Sequence, residues 1–355
     1  MSAGAGVVRA MTRTGALALL PLLAGAAIRP AIAAGRWGMD YFPNVLLTTQ
    51  DGKTVRFYDD LLKGKAVAIN LIYTHCSASC PLETAKLAQV QRLLGDRVGK
   101  DLFFYSISID PRRDTPEVLK AYANRFHVGP GWLFLTGKEE DIKLVSKKLG
   151  LSSLTDAANR DGHLPSLMLG HEPTGQWMRN SAVDNPRFLA TTIANFLGWK
   201  TDERQRSYAE VRDFPKIDNA EYLFRTRCAA CHTVGKGDGI GPDLADVTTR
   251  RDHCWVARYV AEPDRVLAEG DPIAAELFAR YRNVRMPNLR LAPEEVDVLL
   301  SYIEKQSRAV HTCSGTGQAC DAISEAGLRS GSGRTSRAGS GPARARTSPP
   351  EAPER

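Results

Sequence analysis

Apolar and polar positions in residues 37–199 alternate in a way that predicts an α/β domain. The runs at 66–73 and 102–109 are almost continuously apolar, as in central strands buried on both faces. Helical periodicity follows each run, and Pro81 and Thr115 stand where a first helical residue and an N-cap are favoured. Helix candidates lie at 82–94, 114–126, 139–149 and 186–197, and further strand candidates at 132–136 and 166–169. We therefore expect a sheet flanked by helices.

The pattern changes after residue 199. Residues 200–215 are polar without periodicity and predict a linker, whereas 216–308 contain helical stretches separated by Gly- and Pro-rich loops. These helix candidates lie at 220–227, 254–262, 272–281 and 293–306. Residues 309–355 are rich in Gly, Ser, Arg, Ala and Pro and offer little to bury, which predicts a disordered tail. The second domain should therefore be small and all-α.

Residues 1–34 have the features of a signal peptide. Arg9 and Arg13 precede an apolar run at 15–28, and small residues follow at 31–34. The run has about 14 residues and contains Pro21, whereas a membrane span needs about 20. Export with cleavage, into the periplasm, is thus favoured over an uncleaved membrane anchor.

The formal net charge of +7 resides at the two ends of the chain. The leader contributes three arginines, and the segment from Ile323 onward contains six arginines against three glutamates. The remainder is close to neutral, so the composition argues against a nucleic-acid partner.

The seven cysteines do not have the spacing of a disulfide framework. Two close pairs, Cys76 with Cys80 and Cys228 with Cys231, enclose loops too short to constrain the unfolded chain much. A chemical role therefore explains these pairs better than a stabilising disulfide. Of the others, Cys254 is expected to be a small buried hydrophobe, and Cys313 and Cys320 either pair with each other or have no role.

Cys228-Ala229-Ala230-Cys231-His232 is the attachment signature of a c-type haem. Two thiols one helical turn apart reach both vinyl groups of one porphyrin, and the adjacent histidine presents a nitrogen to the iron. A zinc site would need a second pair of ligands with similar spacing, and the sequence has none.

Residues 218–306 resemble class I cytochrome c, because a Gly-Pro loop at 240–244 and Met286 follow the haem signature in that family's order. The resemblance implies haem c attached through Cys228 and Cys231, with His232 and Met286 as the two axial ligands. An iron with two protein ligands has no open position and carries electrons.

Cys76 and Cys80 stand four residues apart between a predicted strand and a predicted helix. This spacing lets the pair close as a disulfide or open to bind a metal, and two thiolates with an imidazole suit copper. The imidazole candidates are His75, His127, His163 and His171.

Residues 40–197 resemble the SCO/SenC family of thioredoxin-like copper proteins. The matching segments are Tyr73-Thr74-His75-Cys76-Ser77-Ala78-Ser79-Cys80-Pro81 and Ser108-Ile109-Asp110-Pro111-Arg112-Arg113-Asp114-Thr115-Pro116. The resemblance implies a copper site formed by Cys76, Cys80 and a distal histidine. Asp161-Gly162-His163 occupies that histidine's place, with His171 and His75 as alternatives.

Together these features predict an α/β thioredoxin-like domain followed by a small all-α cytochrome c domain. We expect a copper-binding protein that helps to build the copper centre of a respiratory oxidase, while the haem transfers electrons. Its partner would be the copper subunit of a cytochrome oxidase, reached by transient contact at the membrane, or another periplasmic redox protein. The alternative is a thiol-disulfide oxidoreductase in which Cys76 and Cys80 cycle and the haem is the electron partner. A pure electron carrier is disfavoured, since a docking domain needs no close cysteine pair.

Overall fold

The computed structural model describes residues 37–151, 165–199 and 218–316, with side chains as far as Thr312. The predicted leader, the predicted linker, the segment with His163, and the tail beyond Thr316 lie outside the described residues.

One mixed sheet organises the first part of the described chain. Its strands, in chain order, are β1 (Leu46–Thr49), β2 (Thr54–Arg56), β3 (Ala66–Ile72), β4 (Phe103–Ser108), β5 (Trp132–Gly137), β6 (Ser166–His171) and β7 (Gln176–Ser181). The spatial order is β2-β1-β5-β4-β3-β6-β7. Strands β3, β4 and β5 are parallel neighbours, and the outer pairs are antiparallel. Helical crossovers join the parallel strands, as parallel pairing requires.

The central strand β3 is buried along its whole length, as the continuous apolar run predicts. Its side chains alternate between two cores: Ala68 and Ile72 join the cluster under α1 and α2, whereas Val67 and Ile69 join the cluster on the other face. Both faces of the sheet are therefore covered.

Four helices flank this sheet. They are α1 (Cys80–Leu94), α2 (Pro116–Arg125), α3 (Glu139–Lys148) and α4 (Pro186–Phe196). Their starts have the expected signals: Pro81 lies in the first turn of α1, and the Thr115 hydroxyl accepts a hydrogen bond from the Val118 N–H at the start of α2. Gly95 ends α1 at a φ of 58°, a conformation that favours glycine.

The second part of the described chain is all-helical. Its helices are α5 (Asn219–Arg227), α6 (Val247–Arg250), α7 (His253–Ala261), α8 (Pro263–Ala268), α9 (Pro272–Arg280) and α10 (Pro293–Thr316). Leu223 and Phe224 of α5 and Val256 of α7 pack against Leu299 and Leu300 of α10 to form a separate core.

The structure differs from the sequence-based expectations at three places. Strands β1 and β2 and helices α6 and α8 were not predicted, because they are short, and β7 was not predicted because four of its six residues are polar. The last helix continues from its expected end at 306 to Thr316, so 309–316 are helical and not part of a tail. His311 contacts the Asp246 carboxylate at 2.8 Å, which ties this extension to the domain. Cys254 is exposed, so the expectation that it is buried was wrong.

We expect Gly170→Ala to destabilise the sheet. A Cβ atom at Gly170 of β6 would overlap the indole ring of Trp177 on β7, and overpacking costs about 1–3 kcal/mol in the free energy of unfolding. Urea unfolding followed by circular dichroism measures the loss. The control is Gly129→Ala, whose new Cβ would lie 3.3 Å from its nearest neighbour, Gln91 Nε2, and so would not overlap an aromatic ring. Equal unfolding free energies for the two variants would contradict the expectation.

Candidate functional site

The cysteine pair lies in the loop between β3 and α1, which we call the thiol loop (73–80). Cys76 and Cys80 are both buried, with 1% and 0% of their surface exposed. The Ala78 N–H donates a hydrogen bond to the Cys76 sulfur at 3.4 Å, and the Cys80 thiol also hydrogen-bonds to that sulfur. The two sulfurs are thus neighbours with no disulfide between them.

The two thiols have opposite acidities. The hydrogen bond from Cys80 lowers the pKa of Cys76 to about 6, in spite of its burial. Burial raises the pKa of Cys80, and so do its hydrogen bond to Cys76 and the charge of Glu83. The arrangement therefore favours one thiolate and one thiol at neutral pH, a soft anionic group that can bind a metal or attack a disulfide.

The second matching motif, at 108–116, holds the thiol loop in place. The buried Asp114 carboxylate accepts hydrogen bonds from the Thr74 N–H at 3.1 Å, the Thr74 hydroxyl at 2.5 Å and the Ser108 hydroxyl at 2.6 Å. Asp110 lies 3.5 Å from His75 Nε2. The aspartates thus build the loop.

The structure separates the candidate imidazoles. His171 pairs with Ala66 at the start of β3, whereas the thiol loop follows Ile72 at its other end. Six residues of strand amount to about 20 Å, so His171 is not a ligand of this site. His127 is exposed after α2, and His75 contacts Asp110. His163 lies outside the described residues. Within the described residues, no group of three or more His, Cys, Asp or Glu side chains is arranged to hold a metal.

A cavity of about 420 Å³ lies inside the helical domain. Its lining combines the predicted haem residues with apolar side chains and arginines: Cys228, His232, Met286, Trp255, Leu299, Ile303, Arg250, Arg251 and Arg280. A narrower pocket at 60 Å³ adjoins it and is lined by Cys231, His232 and Met286. The structure therefore brings all four predicted haem residues to these two pockets, and His232 and Met286 line both of them. Apolar walls fit a porphyrin, and arginines fit its carboxylates.

His232 has the orientation of an iron ligand. Its Nδ1 lies 2.9 Å from the Pro242 carbonyl oxygen, so Nδ1–H donates there and Nε2 is left to bind iron. Burial lowers the pKa of His232 and keeps the imidazole neutral, and it raises the pKa of Cys228 and of Cys231 to about 12. Gly241 permits this packing, because a Cβ there would lie 2.6 Å from His232 Cε1.

Sequence reasoning missed one group beside the thiols. Glu83 is fully buried on α1, where it accepts a hydrogen bond from Ser79 Oγ at 2.8 Å and contacts Asn70 Nδ2 at 3.4 Å. Its position three residues after Cys80 is the only local signal. Its burial depends on β3, which the local pattern does not reveal.

The fold and these two sites define a thioredoxin-like protein with a paired-cysteine loop, joined to a haem-binding cytochrome domain. The SCO1/SenC family profile matches residues 39–168, and the cytochrome c family profile matches residues 217–307. The SCO2-like protein of Rickettsia felis is 32% identical over 146 residues, which cover 39% of this chain and 68% of that protein. This chain belongs to the SCO1/SenC family and carries a cytochrome c domain after its SCO domain.

Other relatives match the same part of the chain. Mitochondrial protein SCO2 of Saccharomyces cerevisiae is 38% identical over 102 residues, covering 29% of this chain and 33% of that protein. Two solved structures are similar as well. A SCO1/SenC family lipoprotein from Bacillus anthracis has 30% identity and a TM-score of 0.38 and covers 46% of this chain and 98% of its own. Yeast Sco1 with copper bound has 26% identity and a TM-score of 0.36, with coverages of 45% and 94%.

None of the helices in the described part of the chain is both long enough and apolar enough to span a membrane.

We expect Asp243→Asn to destabilise the loop that carries the His232 acceptor, in a pH-dependent way. Burial raises the pKa of Asp243, but hydrogen bonds donated by the N–H groups of Ala245, Gly235 and Gly237 lower it by more. The pKa of Asp243 is therefore below the ordinary value of 3.8. A lowered pKa stabilises the fold above pH 3.8, and this stabilisation disappears as the pH falls through the lowered value. At pH 7 the variant should lose about 1–3 kcal/mol in unfolding free energy, because charged hydrogen bonds are lost.

Urea unfolding of the haem-loaded protein at several pH values, followed at the haem absorption, measures this difference. The gap between wild type and variant should narrow below pH 3.8. The control is Asp297→Asn, at an exposed position on α10. A gap that stays constant from pH 7 to pH 3 would contradict the assigned role.

Proposed function

We propose that this chain is an exported copper-binding redox protein that assists assembly of the copper centre of a respiratory cytochrome oxidase and transfers electrons through its c-type haem. The observation that carries the proposal is the adjacent, buried Cys76–Cys80 pair. Membership of the SCO1/SenC family supports the assembly role, since relatives in that family include oxidase-assembly and copper-bound proteins by their names.

Copper in this proposal is bound by Cys76, Cys80 and His163. Soft thiolates favour Cu(I), and an imidazole completes a three-donor set. The pairing of β6 with β3 places Leu167 opposite Asn70, so Pro165 and Ser166 lie toward the thiol-loop end of the sheet. His163 precedes Pro165 by two residues, which limits their Cα separation to about 7 Å. His171 is ruled out by the same register.

The haem in this proposal is attached to Cys228 and Cys231 and ligated by His232 and Met286. The cavity, the neutral imidazole and the position of Met286 in both pocket walls support this assignment. When bound, the haem supplies a one-electron couple. The residues around it orient His232 and exclude water from the iron.

Export to the periplasm is part of the proposal, because residues 1–34 have the signal-peptide pattern and haem attachment to such a motif fits that compartment. The expected partner is the copper subunit of a membrane cytochrome oxidase, contacted transiently, or another periplasmic redox protein. The near-neutral middle of the chain gives no support for a nucleic-acid partner.

A thiol-disulfide oxidoreductase is the second candidate. The lowered pKa of Cys76 beside the raised pKa of Cys80 favours it, since exchange needs a thiolate and a resolving thiol, whereas the burial of both sulfurs opposes attack on an external disulfide. Electron counting favours copper. Reduction of a disulfide takes two electrons and two protons, whereas one haem holds one electron, which matches the Cu(II)/Cu(I) couple.

We expect the exported, haem-loaded protein to bind about one copper per chain. Cys76→Ser and Cys80→Ser should each abolish binding, and His163→Ala should weaken it strongly, because each change removes a donor. Metal analysis measures the copper content per chain, and thiol counting measures the number of free cysteines. The matched control is His127→Ala, at an exposed imidazole after α2. Wild-type copper content in His163→Ala would remove His163 from the site, and wild-type content in both cysteine variants would reject copper binding by this loop.

We expect Met286→Ala to abolish the weak red absorption band that a sulfur-ligated ferric haem shows, because the variant lacks the thioether. Absorption spectroscopy of the oxidised protein measures the band. Met39→Ala, at a methionine with 67% of its surface exposed, is the control and should leave the band intact. An unchanged band in Met286→Ala would show that another group binds the iron.

A further inference from the structure

The thiol loop contacts the segment that carries the predicted methionine ligand of the haem. The Asn288 N–H donates a hydrogen bond to the Ser77 carbonyl oxygen at 2.7 Å. Ser77 adjoins Cys76, and Asn288 follows Met286 by two residues. One short hydrogen bond therefore joins the backbone beside the thiols to the backbone beside the haem ligand.

Two further hydrogen bonds join the same regions. Gln89 Nε2 on α1 donates to the Ala230 carbonyl oxygen at 3.4 Å, and Ala230 lies inside the haem-attachment motif. Arg125 Nη1 at the end of α2 donates to the Asn283 carbonyl oxygen at 3.5 Å, three residues before Met286. All three bonds reach the two segments that hold the haem, and none reaches the far side of the helical domain.

Apolar contacts surround these bonds. Ala230, Cys231, Ile240 and Val284 pack against the core cluster that contains Cys76 and Cys80. The last three of those residues also line the narrow pocket next to His232 and Met286. The haem-attachment residue Cys231 therefore lies at the contact with the domain that carries the thiols.

We propose that this contact, which we call the loop–haem interface (Ser77, Gln89 and Arg125 with 230, 283 and 288), is the path for direct electron transfer between the haem and copper at the thiol loop. The inference rests on the proposed function. In the step, one electron leaves ferrous haem, which becomes ferric, and Cu(II) becomes Cu(I). No bond is made or broken, and no proton moves.

The interface adds something that tethering alone does not provide. A flexible connection raises the effective concentration of one domain near the other to about the millimolar range, but it leaves their orientation random. Hydrogen bonds to the backbone at 230, 283 and 288 select one orientation of the two domains, with Cys231 at their contact. Transfer should therefore be intramolecular and sensitive to residues that bind neither cofactor.

The first test uses Gln89→Glu/Arg125→Glu in the full haem-loaded protein with Cu(II) bound. The carboxylates cannot donate to the carbonyl groups at 230 and 283 and repel them, while every proposed ligand remains. The control, Gln176→Glu/Arg187→Glu, makes the same charge change at exposed positions on β7 and α4. A flash-generated flavin radical reduces the haem, and the decay of ferrous haem absorption is followed.

For wild type and control we expect a decay rate that does not change over a tenfold range of protein concentration. The Gln89→Glu/Arg125→Glu rate should be at least about tenfold lower, because only tethered encounters remain. A wild-type rate proportional to protein concentration, or an equal rate in the interface variant, would overturn the inference while leaving copper and haem binding intact. Absence of copper from the wild-type protein would instead overturn the proposed function.

The second test needs no copper. Hydrogen exchange at the Asn288 amide in the copper-free, haem-loaded protein reports the bond to Ser77 directly. We expect slow exchange in wild type and control, and exchange at least about tenfold faster in the interface variant, because opening of the interface exposes the amide. Equally fast exchange in all three proteins would show that the domains do not dock in this way and would overturn the inference.

Discussion

The buried carboxylate of Asp114 is the interaction on which the rest of the site depends. It accepts three hydrogen bonds, two of them from Thr74, and so fixes the backbone just before Cys76. Asp114 can reach Thr74 because β3 and β4 are parallel neighbours, so the thiol loop after β3 and the segment after β4 leave the same edge of the sheet. A charge-assisted hydrogen bond adds about 1.5–3 kcal/mol to the free energy of unfolding, whereas a buried carboxylate without hydrogen-bond donors would destabilise the fold. The loop position is therefore strongly determined.

A fixed thiol loop has two consequences. Cys76 and Cys80 are held close enough to share a proton, which separates their acidities and prepares one soft anionic donor. The carbonyl group of Ser77 is also held outward, where the Asn288 N–H can reach it. The same loop thus holds a thiolate beside a thiol and presents its backbone to the helical domain. On the other side of the contact, the Pro242 carbonyl group orients His232 in a comparable way. Each candidate site is thus held by an acceptor from a neighbouring loop, the Asp114 carboxylate for the thiol loop and the Pro242 carbonyl oxygen for His232.

Several features were predictable because their physical cause is local. Apolar runs identified β3 and β4, proline and threonine signals located the starts of α1 and α2, and the cysteine spacings indicated two candidate sites. Strands β2 and β7 were not predicted although each pairs with its neighbour in the chain, whereas β1 also pairs with β5, a contact between distant segments that no local pattern reveals. The extension of α10 to Thr316 has the same cause, since His311 is held by Asp246, 65 residues away. Exposure of Cys254 likewise depends on where α7 packs.

The sequence by itself determined the class of both domains. It also determined the candidate ligands, which are the cysteines, His232 and Met286, since each depends on residue type and close spacing. Only the tertiary structure decided which distant groups meet. It excluded His171 through the register of β6 against β3, placed buried Glu83 beside Cys80, and brought Asn288 to Ser77 across more than two hundred residues of chain. Contacts of this kind arise from strand pairing and domain packing, and no local pattern of residues encodes them.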